Sequence, residues 1–135
     1  MSDKVFLDTN ILLYTIGQDA VRTPVAEALV QQGGIVSVQV LNELASVAHR
    51  KLKMTWQDIT RALGALRILC PSVVPMTVET HDAALRLAVR HGFHIYDALI
   101  VATALEADCR TLYSEDMQSG QVIGGRLTIR NPFAA

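Results

Sequence analysis

Four acidic residues, Asp8, Glu43, Asp97 and Asp116, stand where a folded chain must account for a carboxylate. Asp8 directly follows the apolar run Val5-Phe6-Leu7 and precedes Thr9-Asn10 and the apolar turn Ile11-Leu12-Leu13. That position lies beyond the carboxyl end of a strand, where open α/β sheets bind ligands; it is equally the N-cap of the helix that follows, a common use of aspartate. Asp97 opens the segment Asp97 to Leu105, which is apolar nearly all round, as in a helix buried within a domain. An ionised carboxylate out of water needs an ion pair, hydrogen bonds or a bound cation, and the backbone N–H groups of a helix end meet part of that need if the residue is only a cap. Glu43 lies in the helical stretch Val38 to Arg50, on a strip shared with Val40 and Val47. Its neighbours three and four residues away are Gln39, Val40, Ser46 and Val47, none of them basic, which removes the usual helical ion pair and leaves a solvated or a functional glutamate. Asp116 falls in the turn-like Ser114-Glu115-Asp116-Met117, where a plain turn aspartate is the alternative and Glu115 is its nearest rival.

The elements that must position these acids alternate in type. Val5-Phe6-Leu7, Ile35-Val36-Ser37, Val73-Val74-Pro75, Thr111-Leu112-Tyr113 and Leu127-Thr128-Ile129 read as strands, with helical patterns between them. Thr23 before Pro24 predicts a capped helix closed by Gly33-Gly34; Thr55 opens another that ends near Pro71; Thr77 or Thr80 caps a third that runs to about Gly92. Strand and helix in alternation predict an α/β fold, a mostly parallel sheet with helices on both faces.

Composition narrows the function classes. A chain of 135 residues suits one domain spanning 1–135, and with half its residues hydrophobic and a mean hydropathy of +0.28 it has ample material for a core. The longest strongly apolar stretch, Ala98 to Leu105, is far short of the roughly 20 residues a bilayer crossing needs, and Met1-Ser2-Asp3-Lys4 carries no signal-peptide pattern. A cytoplasmic protein without membrane association is the expectation. Cys70 and Cys109 form no CxxC pair and read as buried thiols. His49, His81, His91 and His94 show neither HExxH nor HxxxH spacing, against zinc hydrolase chemistry, and there is no glycine-rich phosphate loop. Gly33-Gly34 and Gly124-Gly125 are turn signals. Twelve basic against thirteen acidic residues give a net charge of −1, so any nucleic-acid contact must come from a local patch.

Taken together, Leu7-Asp8-Thr9-Asn10, Leu41-Asn42-Glu43-Leu44, Tyr96-Asp97-Ala98-Leu99-Ile100-Val101-Ala102-Thr103-Ala104 and Ser114-Glu115-Asp116 resemble the PIN-domain family over nearly the whole chain. In size and layout the chain is similar to the VapC-type toxins of type II toxin–antitoxin pairs. The resemblance implies a PIN-like three-layer sandwich with a central, mostly parallel five-stranded sheet, four acids gathered at one end, a divalent metal, cleavage of RNA and frequent homodimers. Carried over residue by residue, Asp8 and Asp97 become direct metal ligands, Asp116 a further ligand directly or through water, and Glu43 a water-orienting or second-metal acid. Asn10 and Ser114 match the family's supporting polar positions, and Ser114 two residues before Asp116 favours that acid over Glu115. The implied protein partner is a cognate antitoxin whose tail occupies the acidic groove and sets an arginine against the carboxylates.

The chemistry agrees with this assignment. Four carboxylates in one partly buried pocket cannot all stay ionised without countercharge, and an all-oxygen set selects Mg2+ or Mn2+. Such an ion activates water for in-line hydrolysis of a phosphodiester, making the expected protein a metal-dependent endoribonuclease. His49-Arg50-Lys51 with Lys53, beside Arg61 and Arg67, is the candidate backbone-binding patch, although bases at a helix C-terminus are favoured by the helix dipole anyway. Two other classes compete: a non-catalytic interaction module that has kept the fold, and an aspartate-based phosphatase or receiver-type domain, for which Asp8-Thr9-Asn10 lacks the second aspartate of a DxD motif.

Overall fold

A computed structural model describes residues 3–134, so Met1 and Ser2 of the N-terminal reading lie outside the described residues. In chain order the elements are β1 (Val5–Leu7), α1 (Thr9–Ile16), α2 (Arg22–Gln31), β2 (Val36–Ser37), α3 (Val38–Arg50), α4 (Trp56–Leu69), β3 (Val73–Val74), α5 (Val78–His91), α6 (Ile95–Glu106), β4 (Thr111–Tyr113), β5 (Val122–Ile123) and β6 (Leu127–Arg130). Strands β1, β4, β6 and β5 form one sheet in that order, and β2 pairs with β3. A parallel bridge between Phe6 and Ile35, with Leu7 N donating to Ile35 O (3.0 Å) and Ile35 N to Val5 O (2.9 Å), sets the β2 segment against the free side of β1. From β1 the chain goes first to one side, to β2 and β3, and later to the other, to β4. The C-terminal end of β1 is therefore a topological switch point, where the crevice of an open α/β sheet lies.

The expected α/β class holds, with a different strand count. Pairings β1–β4, β4–β6 and β2–β3 are parallel, as expected, but β5 adds a sixth strand, antiparallel to β6. Its two residues are too few to display the alternation by which a strand is read. Gly124 (φ 61°) and Gly125 (φ 69°) make the turn between β5 and β6 in the left-handed region open to glycine.

Helix starts follow local hydrogen bonding. Ser37, Thr55 and Thr77 cap α3, α4 and α5 through their side-chain oxygens, and Gly92 closes α5 at φ 74°. The Thr23 cap expected for α2 is corrected: α2 begins at Arg22, because Asp19 Oδ1 accepts from the N–H groups of Val21 (3.0 Å) and Arg22 (2.8 Å). Thr23 Oγ1 instead donates to Tyr14 O (2.8 Å) and accepts from Asp19 N (2.9 Å), tying α2 to the end of α1.

Phe6 and Leu7 of β1, Ile11 and Leu12 of α1, Leu44 of α3, Ile100 and Val101 of α6, Leu112 of β4 and Ile129 of β6 are fully buried in one core. Ala84 of α5 and Ala98 and Ala102 of α6 form a small-residue seam that lets these two helices approach closely. Cys70 and Cys109 are buried free thiols, and burial pushes Cys109 up to about 11. No helix among the described residues is long and apolar enough to cross a membrane.

Candidate active site

Strand register builds the centre of the site. Leu7 lies opposite Tyr113 in the parallel β1–β4 pair, so the next residues, Asp8 and Ser114, leave the sheet side by side. Asp8 N donates to Tyr113 O (3.0 Å), and Ser114 Oγ donates to Asp8 Oδ2 (2.8 Å). The other carboxylate oxygen accepts from Thr9 N (2.7 Å) as the N-cap of α1. The capping reading of the sequence therefore holds, and the capping side chain stands at the switch point of the sheet with Ser114 on its other oxygen. Asp8 is only 6% exposed. Burial pushes its carboxyl up to about 6; the hydroxyl of Ser114 and the N–H of Thr9 oppose this, and the charges of Glu43 and Asp97 add to it.

The remaining acids come from three other elements. Glu43, on the second turn of α3, accepts from Gln39 Nε2 (2.8 Å) and, at 3.4 Å, from Thr9 Oγ1. Asp97 lies in the first turn of α6, whose N-cap His94 accepts from Tyr96 N (3.3 Å). Its carboxyl is raised above the usual range, first by burial and then by Asp116, against the lowering influence of His94. Asp116 is exposed and accepts from Asn10 Nδ2 (3.1 Å), while its own N–H donates to Ser114 Oγ (3.3 Å). Asn10 Oδ1 accepts from Glu115 N (3.3 Å), so the one amide clamps both residues of the turn. The two supporting residues expected from the sequence, Asn10 and Ser114, therefore hold Asp116 and Asp8 respectively.

Glu115 faces elsewhere. Its carboxylate accepts from Tyr14 Oη (2.5 Å) and Arg22 Nε (2.5 Å), and the Arg22 guanidinium lies 5.7 Å from the ring centres of both Tyr14 and Phe133. This contact pushes the Tyr14 phenol up to about 12 and holds Glu115 below its ordinary value despite some burial. The two neighbours differ in direction: Glu115 is spent on an ion pair with Arg22, and Asp116 points back toward Asn10.

Gln39 is the site residue whose part sequence reasoning missed. Its place four residues before Glu43 marked it as a neighbour on the same face, but only as an uncharged one. It is buried; its Nε2 also donates to Tyr96 O (3.2 Å), joining α3 to the first turn of α6 next to Asp97, and its Oε1 has no partner among the described residues. Of the basic residues expected to meet a backbone, Arg61 is committed to an ion pair with Asp58, whereas His49, Arg50 and Lys53 line an open cavity of about 430 Å3 with Met54.

The donor set fits a hard divalent cation. All four acids offer oxygen, Asp8 and Asp97 are held above their ordinary values, and among the described residues the ion pairs of Arg22, Arg61 and Arg126 reach none of the four. No three His, Cys, Asp or Glu side chains among the described residues are already drawn together around a point that could hold an ion. The four acids stand on different elements and are linked pairwise by charge: Glu43 and Asp97 raise Asp8, and Asp116 raises Asp97.

Comparison of the fold with solved structures places similar chains beside this one. A toxin–antitoxin complex from Klebsiella pneumoniae superposes with a TM-score of 0.74 at 17% identity, over 98% of this chain and 100% of that one. The Mycobacterium tuberculosis VapC20, described as a sarcin–ricin-loop-cleaving toxin, gives 0.68 at 21% identity, over 84% and 90%. VapBC2 from Rickettsia felis, bound to a DNA fragment from its promoter, gives 0.67 at 21% identity, over 94% and 97%. No curated protein matched the chain by sequence. The PIN domain family matches residues 5–121, a span that begins at β1 and passes through Asp8, Glu43, Asp97 and Asp116, and the chain therefore belongs to the PIN domain family.

Proposed function

We propose that the chain is a divalent-metal-dependent endoribonuclease acting in the cytoplasm as the toxin of a toxin–antitoxin pair. One observation carries this reading: at the switch point of the sheet the buried Asp8 carboxyl is pushed up to about 6, with the charges of Glu43 and Asp97 adding to its burial, and no ion pair among the described residues reaches it. Asp8, Asp97 and Asp116 would hold Mg2+ or Mn2+. When bound, the ion supplies Lewis acidity, lowering the pKa of water and offsetting charge on the phosphate oxygens. Ser114 and the N–H of Thr9 hold Asp8 in one orientation, and Asn10 holds Asp116. Glu43, gripped by Gln39 on one oxygen, keeps its other oxygen available to orient the attacking water and take its proton. Water then displaces the ribose oxygen from phosphorus in line. The described similarities to toxin–antitoxin complexes and to an RNA-cleaving toxin support the biological role, with a cognate antitoxin and a second copy of the chain as partners.

The test is cleavage of a labelled pool of structured RNA by antitoxin-free protein in Mg2+, Mn2+ or EDTA, beside identically purified Asp97→Asn protein. Cleavage lost both in EDTA and in the variant is the expected result. RNA binding without any cleavage beyond that of the Asp97→Asn protein assigns the chain to a non-catalytic module and overturns the proposal.

A further inference from the structure

Beside the acids lies a second cavity, of about 340 Å3, lined by Gln39, Asn42, Glu43, Ser46, Met76 and Tyr96. Its floor is one face of α3, because residues 39, 42, 43 and 46 follow the helical three-and-four spacing. Met76, between β3 and α5, and Tyr96, in the first turn of α6, form the opposite wall, and both are exposed. Tyr96 contributes to the protein's own fold through its backbone: its N–H is capped by His94 and its carbonyl accepts from Gln39. Tyr96 is 59% exposed, and among the described residues its ring has no polar partner and only tilts against His94 at 5.5 Å. An aromatic face left open next to a carboxylate site suits an occupant that is flat, apolar on its faces and polar at its edge.

We infer that this cavity is a nucleobase subsite, in which an unpaired base next to the scissile phosphate stacks on Tyr96 against Met76 and presents its edge to the amide of Asn42. The inference rests on the nuclease reading above and deepens it. Three observations carry it. The cavity shares Glu43 with the acid cluster, so its occupant and the reacting phosphate belong to one strand. Single-stranded RNA is held by bases stacked on aromatic side chains and by cations along the backbone. The cation is also in place: Arg50 lies seven residues after Glu43, on the same face of α3 and about 10 Å along its axis, in the cavity it shares with His49 and Lys53. Along α3 the slot, with Glu43 on its floor, is thus followed by a basic end at His49 and Arg50, an order that suits a base beside the reacting phosphate and the next phosphates of an extended strand.

The experiment uses the full chain in calcium and short single-stranded RNAs that carry one photoreactive iodouridine at each position in turn, with cross-linked peptides identified by mass spectrometry. Binding of intact RNA and of RNA abasic at the cross-linking nucleotide is then compared for wild type, Tyr96→Ala and Tyr96→Phe. The expected result is a cross-link to Tyr96 and affinity about tenfold weaker for Tyr96→Ala, the size of one lost stacking contact, with Tyr96→Phe near wild type. Abasic RNA should bind the wild type about tenfold more weakly and be indifferent to Tyr96→Ala. Because the ring takes part in no polar contact of the fold, thermal unfolding of the Tyr96 variants should match wild type. RNA that binds, but with equal affinity for Tyr96→Ala and wild type, overturns the subsite and leaves the nuclease reading standing. A Tyr96→Ala defect confined to antitoxin binding assigns the cavity to a protein partner and overturns it as well. Failure of the wild type to bind or cut any RNA removes the nuclease reading, and the subsite with it.

Discussion

Replacing Asp8 by asparagine should stabilise the metal-free protein at neutral pH, the opposite of what removing a hydrogen-bonded buried group usually does. The carboxyl is pushed from 3.8 up to about 6 by burial, with Glu43 and Asp97 adding to the effect, a difference that corresponds to about 3 kcal/mol. Its sign follows from linkage. Between pH 4 and 6, set by those two values, the folded chain binds a proton that the unfolded chain has lost, so stability falls as pH rises. Above about pH 6 the full cost is present; below about pH 4 it is absent. Asparagine does not ionise. Its Oδ1 can still accept from Thr9 N, and its Nδ2 can donate to Ser114 Oγ once that hydroxyl turns, at a loss of about 1 kcal/mol for the poorer arrangement. The net gain is about 2 kcal/mol in EDTA at pH 7, shrinking toward zero or reversing near pH 4. Urea unfolding of both proteins across that range measures it directly. Adding Mg2+ should narrow the gap at pH 7, since the ion relieves in wild type what the substitution removes. A variant less stable than wild type at pH 7 in EDTA, or a gap that does not change with pH, would refute the electrostatic account of the site.

Three further outcomes follow from the same geometry. Ser114→Ala removes a hydrogen bond that lowers the Asp8 carboxyl, so the acidic limb of the pH–rate profile should move to higher pH; an unchanged limb in single-turnover cleavage would count against an ionised Asp8 in the reaction. Glu115→Gln, which weakens the contact with Arg22 and Tyr14, should cost about 1 kcal/mol in thermal unfolding and leave cleavage within a few-fold, whereas Asp116→Asn should abolish most of it; equal defects would contradict the directions of the two side chains. Gln39→Leu deprives Glu43 of the shorter of its two hydrogen bonds and frees the Tyr96 carbonyl, so kcat should fall about tenfold, the worth of one oriented hydrogen bond, with KM little changed; a rise in KM alone would place Gln39 in substrate binding instead.

What the sequence by itself determined was the fold class and the element on which each candidate acid stands. An aspartate directly after an apolar run, another opening an all-apolar helix, and a glutamate with no base within one turn are local facts, and the structure sets Asp8 at the cap of α1 behind β1, Asp97 in the first turn of α6 and Glu43 on α3. The caps Thr55 and Thr77 were legible for the same reason, since a cap bonds within three residues of itself. The start of α2 was not, because two acceptors, Asp19 and Thr23, competed for it and the carbonyl of Tyr14 on α1 claimed Thr23. Nor could β5 be seen, being two residues whose strand character comes only from β6 beside it. Tertiary structure alone decided which groups meet. The register Leu7 opposite Tyr113 sets Ser114 on Asp8 across 106 residues of chain, Arg22 and Tyr14 turn Glu115 away and leave Asp116 to Asn10, and Gln39 bridges α3 to α6. Propensity and periodicity act over a few residues, whereas the direction of a side chain and the charge around it are set by neighbours distant in sequence, and on these depend the number of acids that share the site and the pKa of each.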